Sequence, residues 1–333
     1  MDIFRDHLGH ELKAFFGALP LGHDGLGYPI IEGFVRALKS QPMIRACFHE
    51  SLLEQNKDRR WARDEEEDEE DRADYEISQR RWTAFAVTLV KHHFPVILNL
   101  KYPWPTKQTA LHLVATQGSP EVMEALLTRL MAVQGGKGMH DDVIQSRDEA
   151  ERTALAISID QLFSAEVKML TKASKKLLEI PREGGRGTKS YPLHDLVISV
   201  VKSKLEKSDL MQSGTLGGAV SKNAHDILSI LVEADPVTAL TKACGDMSQH
   251  LLGAERVNEI PPYTLAVEAE KWLLTKSKEP VEAVKARMSI LTSLRQKIRA
   301  AITRELHTAQ DYERATVGGE FILTYTCIGE MSI

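Results

Sequence analysis

The chain is poor in the residues that mark secreted, membrane-spanning or metal-bound proteins. Its three cysteines, Cys47, Cys244 and Cys327, are odd in number, far apart and in no ligand spacing, which excludes a disulfide framework and a cysteine-built zinc site. No apolar run approaches the length of a membrane span, and Met1 to His7 place charges where a secretory leader needs apolar residues. Also missing are a Gly-x-Ser-x-Gly elbow, a His-Glu-x-x-His helix and a Cys-x-x-Cys pair, so the common catalytic classes lack their signatures. The expectation is a soluble intracellular protein, cytoplasmic or nuclear, with no cofactor and no metal. These absences leave open whether it is an enzyme.

What is present points to a folded and nearly neutral body. A chain of 333 residues with 43% hydrophobic content has enough apolar surface for one large core or an elongated stack. The net charge of −5 is local, because Asp64 to Asp71 are eight consecutive acids and the remainder has 39 acidic against 42 basic residues. Like charges at that density repel one another, and a solvated loop over 64–74 is expected.

Apolar spacing is helical throughout, and sustained two-residue alternation is absent before the last fifteen residues. The expected class is all-α. Helices are predicted near 2–17, 29–39 and 42–56, making an N-terminal helical region over 1–63. Tyr75 to His93 forms a capping helix, which Pro95, Pro103 and Pro105 close before 106. Near the end, Pro280 opens an amphipathic helix to about Asp311 with Val284, Met288, Leu291, Leu294, Ile298 and Ile302 on one face. Its basic residues are spread around the exposed sides without interleaved aromatics, so nucleic-acid binding is not indicated. Phe321 to Ile328 is β-prone, and an exposed strand there either packs back or marks an incomplete chain.

The most specific signal lies in Lys107 to Leu127. Thr109, Ala110, Leu111 and His112 are followed by Val114, Ala115 and Gly118, then Glu121, Val122, Leu126 and Leu127. This order resembles one ankyrin repeat, in which Thr-Pro-Leu-His opens the first helix, small residues admit the second helix and Gly ends the first. Ala110 stands where the family has Pro, and Val114 where it has one Ala. The pattern restarts at Arg152, Thr153, Ala154 and Leu155, 44 residues after the first start, against a family period of about 33. The excess holds Gly135, Gly136 and Gly138 and is predicted to be a loop. A third start at Tyr191, Pro192, Leu193 and His194 has its second helix displaced to Ala224–Ala234, with Lys202 to Lys222 inserted as a loop. Fainter starts follow at Thr238 and Pro262.

The resemblance implies an ankyrin-like α-solenoid of irregular helix pairs over 107–279, with helical N- and C-terminal caps, the latter over 280–333. It also implies that His112 and His194 hydrogen-bond within and between repeats and do no chemistry. His92 and His93 are adjacent, diverge on a regular helix and cannot share a metal; a boundary or surface role is expected. Gly184 to Ser190 has glycines and a lysine, but Thr188 separates Gly187 from Lys189 and no strand is expected before it, so it is not a phosphate loop.

Proteins of this family present a surface, so the expected function is a protein–protein interaction scaffold or adaptor whose partner is another protein. Carried over in the family register, the partner-binding positions are Lys107, Gln108, Leu113, Thr116 and Gln117, then Glu151, Arg152, Ile157 and Asp160, then Lys189 and Asp195. The alternative is an α-helical enzyme of unfamiliar class with a pocket between the N-terminal helices and the solenoid. The insertions keep it open, since long loops often hold functional groups.

Overall fold

The helical spacing of the sequence is realised in a computed structural model, which describes residues 10–12, 14–15, 28–61, 69–98, 107–132, 137–183, 189–203, 219–241 and 261–313. Helix accounts for 82% of the described residues, so the fold is all-α. The N-terminal helices are α1 (Tyr28–Ala37), α2 (Gln41–Trp61) and α3 (Glu69–Leu98). Next come α4 (Ala110–Gln117), α5 (Pro120–Ala132), α6 (Lys137–Ile144), α7 (Ala154–Asp160) and α8 (Ser164–Ala173). A short antiparallel ladder pairs β1 (Arg182–Glu183) with β2 (Lys189–Ser190), in the register Arg182 to Ser190. The chain continues through α9 (Pro192–Lys202), α10 (Ala219–Ala234), α11 (Pro236–Thr241), α12 (Pro262–Lys276) and α13 (Val281–Glu313).

Contacts among these helices run in two rows. In one row α2 touches α4, α4 touches α7, α7 touches α9 and α9 touches α12; in the other α3, α5, α8, α10 follow in order, and α10 meets α13. Each first-row helix also packs on the second-row helix that follows it, as α4 does on α5 and α7 on α8. The buried faces have the apolar spacing of the sequence: Leu111, Val114, Val122 and Leu126; Leu155, Ile159, Val167 and Leu170; Leu193, Leu196, Ile227 and Leu231. They join Phe48, Phe85 and Leu89 at one end and Leu273, Leu291 and Leu294 at the other in a single core. Cys47 is in this core, and burial pushes its thiol up to about 12, which leaves it un-ionised and unreactive.

The helix ends follow local chemistry. Thr153 caps α7 by accepting from the Ala156 N–H at 3.2 Å. Gly118 ends α4 in the left-handed region (φ 64°), and its N–H donates to the Val114 carbonyl. At the end of α7, Leu162 takes the same conformation (φ 57°), with Phe163 N–H on Ser158 O and Leu162 N–H on Ile159 O. Those two bonds form a Schellman motif, with leucine where glycine is usual.

Several expectations are corrected. The acidic stretch is not a loop throughout: 62–68 lie outside the described residues, but Glu69, Glu70 and Asp71 begin α3, where the helix dipole favours acidic residues. The helix breaks at His93 (φ −126°, ψ 27°), its expected end, but a further helical stretch that contains Pro95 runs on to Leu98. Proline has no N–H for the carbonyl four residues back, and Arg129 from α5 donates to that carbonyl, on Lys91, at 3.3 Å. The glycine insertion contains helix α6, with Gly138 inside it, while 133–136 lie outside the described residues. The second helix of the third pair starts at Ala219, earlier than expected. Pro103, Pro105, most of 2–17 and Phe321 to Ile328 lie outside the described residues.

His92 and His93, expected to diverge on a regular helix, both reach α1, because the helix is kinked at His93. His92 Nε2 lies 3.1 Å from Glu32 Oε1, and His93 Nε2 lies 2.8 Å from the Val35 carbonyl oxygen, where the ring must donate.

Candidate interaction surface

The turns that precede α4 and α7 share a backbone signature at a constant offset of 44 residues: Lys107 and Glu151 are both left-handed (φ 46° and 55°), and Gly118 and Leu162 repeat the relation at the helix ends. Each left-handed residue stands two before the capping threonine, Thr109 or Thr153. The first turn is tied to the second through His112, whose ring is fully buried. Its Nδ1 accepts from the Thr109 N–H at 3.2 Å and lies 2.7 Å from Thr109 Oγ1, while its Nε2 lies 3.0 Å from the Arg152 carbonyl oxygen.

Asp148 shapes the second turn. One carboxylate oxygen accepts from the N–H groups of Ala150 and Arg152, both at 2.9 Å, and the other from Arg152 Nε and Nη2 at 3.0 and 2.8 Å. Arg152 is therefore fixed from both sides. Its Nη1 also lies 3.9 Å from Asp160 Oδ2. Arg182, on β1, reaches the same Asp160 carboxylate at 3.2 Å, and Ser199 Oγ lies 3.4 Å from its other oxygen. Asp195 is buried, accepts from Ser190 Oγ at 2.6 Å and is pushed up to about 7, chiefly by burial. Burial likewise raises Asp160, against the opposing pull of Arg182 and Arg152.

The structure sorts the expected partner-binding positions into three groups. Lys107, Glu151 and Lys189 are exposed, Gln108 is half-buried in the first turn, and Thr116 and Gln117 are half-buried at the far end of α4; Thr116 already donates its hydroxyl to the His112 carbonyl at 2.8 Å. Arg152 and Asp160 are brought together in the charged cluster, with 27% and 21% of their side chains exposed. Leu113, Ile157 and Asp195 are corrected, because all three are buried. α4 and α7 lie between a neighbouring helix on each side and their own second helix, so the face assigned to Leu113 and Ile157 is covered. Asp195 turns inward to Ser190.

Sequence reasoning missed Asp148, Arg182, Ser190 and Ser199. A signal existed for two of them: Arg182-Glu183 and Lys189-Ser190 flank five residues with three glycines, the pattern of a short hairpin. The junction between α3 and the first helix pair, where the alternative reading places a pocket, holds a void of about 10 Å³ lined by Phe94, Leu98, Thr109, Ala110, Leu111 and their neighbours. That is room for about one water, with largely apolar walls. Among the described residues no cluster of His, Cys, Asp or Glu is arranged to hold a metal ion, and no helix is long and apolar enough to cross a membrane.

Comparison with protein-family models, with curated proteins and with solved structures finds no match to this chain.

Proposed function

We propose that the protein is an interaction scaffold built as an irregular, ankyrin-like α-solenoid, which presents its turns to another protein. The observation that carries the reading is the 44-residue recurrence: two left-handed residues, two capping threonines and two left-handed helix ends at the same offset, bridged by the His112 bond to Arg152. Two rows of helices, each row in sequence order, are what stacked helix pairs produce. Stacking of this kind leaves the turns outside; the exposed side chains Lys107 and Glu151 belong to them, and the exposed Lys189 lies on β2. Charges at exposed rims favour encounter and selectivity over raw affinity.

The surface is tested by reversing Lys107 and Lys189 to Glu in one variant and comparing captured proteins from the source cells with those of the wild type. Loss of a defined subset, with helicity and melting temperature unchanged, supports the reading. Identical capture removes these turns from the surface. Among the described residues, the junction that the enzymatic alternative needs shows a void of about 10 Å³, which lends that reading no support.

A further inference from the structure

The stack ends on α12 and α13, and the outer side of that pair is not built as an end. Leu291, Leu294 and Ile298 turn the inner side of α13 into the core. On the opposite side Val284, Met288, Ser289, Thr292 and Gln296, with Leu274 of α12, line an open groove of about 650 Å³. Leu274 is 68% exposed, and Val281, in the first turn of α13, is 62% exposed. The last pair of a stack meets water and needs a polar outer face, and contiguous exposed apolar side chains mark a surface that is covered in use.

The chain itself supplies a cover. α13 ends at Glu313, and 314–333, outside the described residues, include the β-prone stretch Phe321 to Ile328. An extended segment alternates its side chains, which puts Phe321, Leu323, Tyr325 and Cys327 on one side and Thr324 and Thr326 on the other. Its reach fits the groove. At about 3.3 Å per extended residue against about 1.5 Å per helical one, a chain doubling back from Glu313 brings Phe321 level with about residue 295 and Ile328 with about residue 280. Three residues used in the reversal shift both by about seven positions, to about 302 and about 287. In either case the segment passes over Met288 and Thr292. Charge agrees as well: 315–333 contain Glu320 and Glu330 and no lysine or arginine, whereas Lys285 in the groove and Arg299, one turn beyond Gln296, are exposed.

We propose that Phe321 to Ile328 folds back onto the α12–α13 groove and closes the end of the stack, with Phe321, Leu323 and Tyr325 set against Leu274, Val284 and Met288. The closure keeps the apolar end of one copy from stacking on another. It uses the end of the stack and not the turns, so partner capture by the turns can fail without touching it.

The full-length chain with Cys244→Ser and Ser289→Cys tests the contact, because Ser289 is exposed in the groove and Cys47 is buried in the core. Copper–phenanthroline serves as the oxidant that takes up the electrons of the two thiols, and mass spectrometry of the linked peptides reads the product. The thiol at position 289 should pair with Cys327 of the same chain at least about tenfold faster than a thiol placed on α5 by Glu121→Cys, since a disulfide needs the two Cα atoms within about 7 Å. Adding Phe321→Ser and Leu323→Ser should slow that pairing at least about fivefold, because a tail held by apolar burial then loses its anchor. Lys285→Cys, also exposed in the groove, replaces Ser289→Cys if that variant does not fold. Equal pairing at 289 and 121, or pairing that survives the two serines, overturns the proposal. Disulfide-linked dimers through position 289 in place of the internal link overturn it too, and make a second copy the cover.

Discussion

His112 and Arg152 are joined by a ring nitrogen 3.0 Å from a carbonyl oxygen, across forty residues of chain. Because the Thr109 N–H donates to Nδ1, that nitrogen has no proton and Nε2 must bear it, so the neutral ring donates to Arg152. Burial lowers the basicity of this histidine, and the bond to the Arg152 carbonyl only partly opposes it. The ring is thus a structural rivet between two turns.

Replacing the rivet should unfasten both turns. His112→Gln leaves buried partners incompletely paired and is expected to cost roughly 1–3 kcal/mol in denaturant melts. A histidine whose folded value lies below its ordinary 6.5 withholds stability as pH falls below about 6.5, since the unfolded chain then binds the extra proton. The difference between wild type and His112→Gln should therefore narrow on acidification, and taking the difference isolates this effect from other titrating groups. Asp148→Ala, which frees the loop that holds the Arg152 carbonyl in place, should combine with His112→Gln less than additively, by at least about 0.5 kcal/mol. Strict additivity would mean that the loop and the ring act independently.

Local pattern was legible in the sequence, and the ties between distant segments were not. The apolar stripes of α4, α5, α7 and α8, the capping threonines and Gly118 all follow from neighbours within one helical turn. His112 was readable as structural only through a family pattern. Burial of Leu113 and Ile157 was hidden, because α4 and α7 are flanked on both sides and a buried face leaves no period to distinguish it. Pro95 stops an isolated helix, yet Arg129, 34 residues away, donates to the carbonyl it leaves open. Arg182 and Asp160, likewise, are 22 residues apart. No window of local spacing connects such pairs.

The two helix ends at the 44-residue offset allow a direct comparison of glycine with leucine. Gly118 sits at φ 64°, where a side chain costs roughly 1–2 kcal/mol. Gly118→Ala should lower stability by about that amount, with the cooperativity of unfolding unchanged. Leu162 endures the same conformation because its side chain is 4% exposed, and burial of a leucine gives roughly 1.5–3 kcal/mol. Leu162→Gly relieves the backbone and empties the core, and should therefore still be destabilising; a net gain would mean that the backbone strain outweighs the packing.

Arg287 is the clearest case of a charge placed inside to finish a helix. It is 5% exposed, on α13, and its guanidinium donates to the Val200 carbonyl at 2.7 Å and the Ser203 carbonyl at 2.6 Å. Both lie at the end of α9, where carbonyls have no partner within the helix and favour a cation. Glu279 accepts from the same guanidinium at 2.8 and 3.1 Å and balances its charge. Arg287→Met keeps the stem and removes the donors, leaving the Ser203 carbonyl open and the Val200 carbonyl with only the Ser203 hydroxyl as a side-chain donor; hydrogen bonds to charged groups contribute roughly 1.5–3 kcal/mol each, so a loss of at least about 2 kcal/mol is expected. Glu279→Gln should cost less than Arg287→Met, because Glu279 is 38% exposed and solvent screens the pair. Thermal melts of the two variants decide between a helix cap and an ion pair as the main role of Arg287: if Glu279→Gln costs as much as Arg287→Met, the carbonyl bonds at the end of α9 are not what this buried arginine is for.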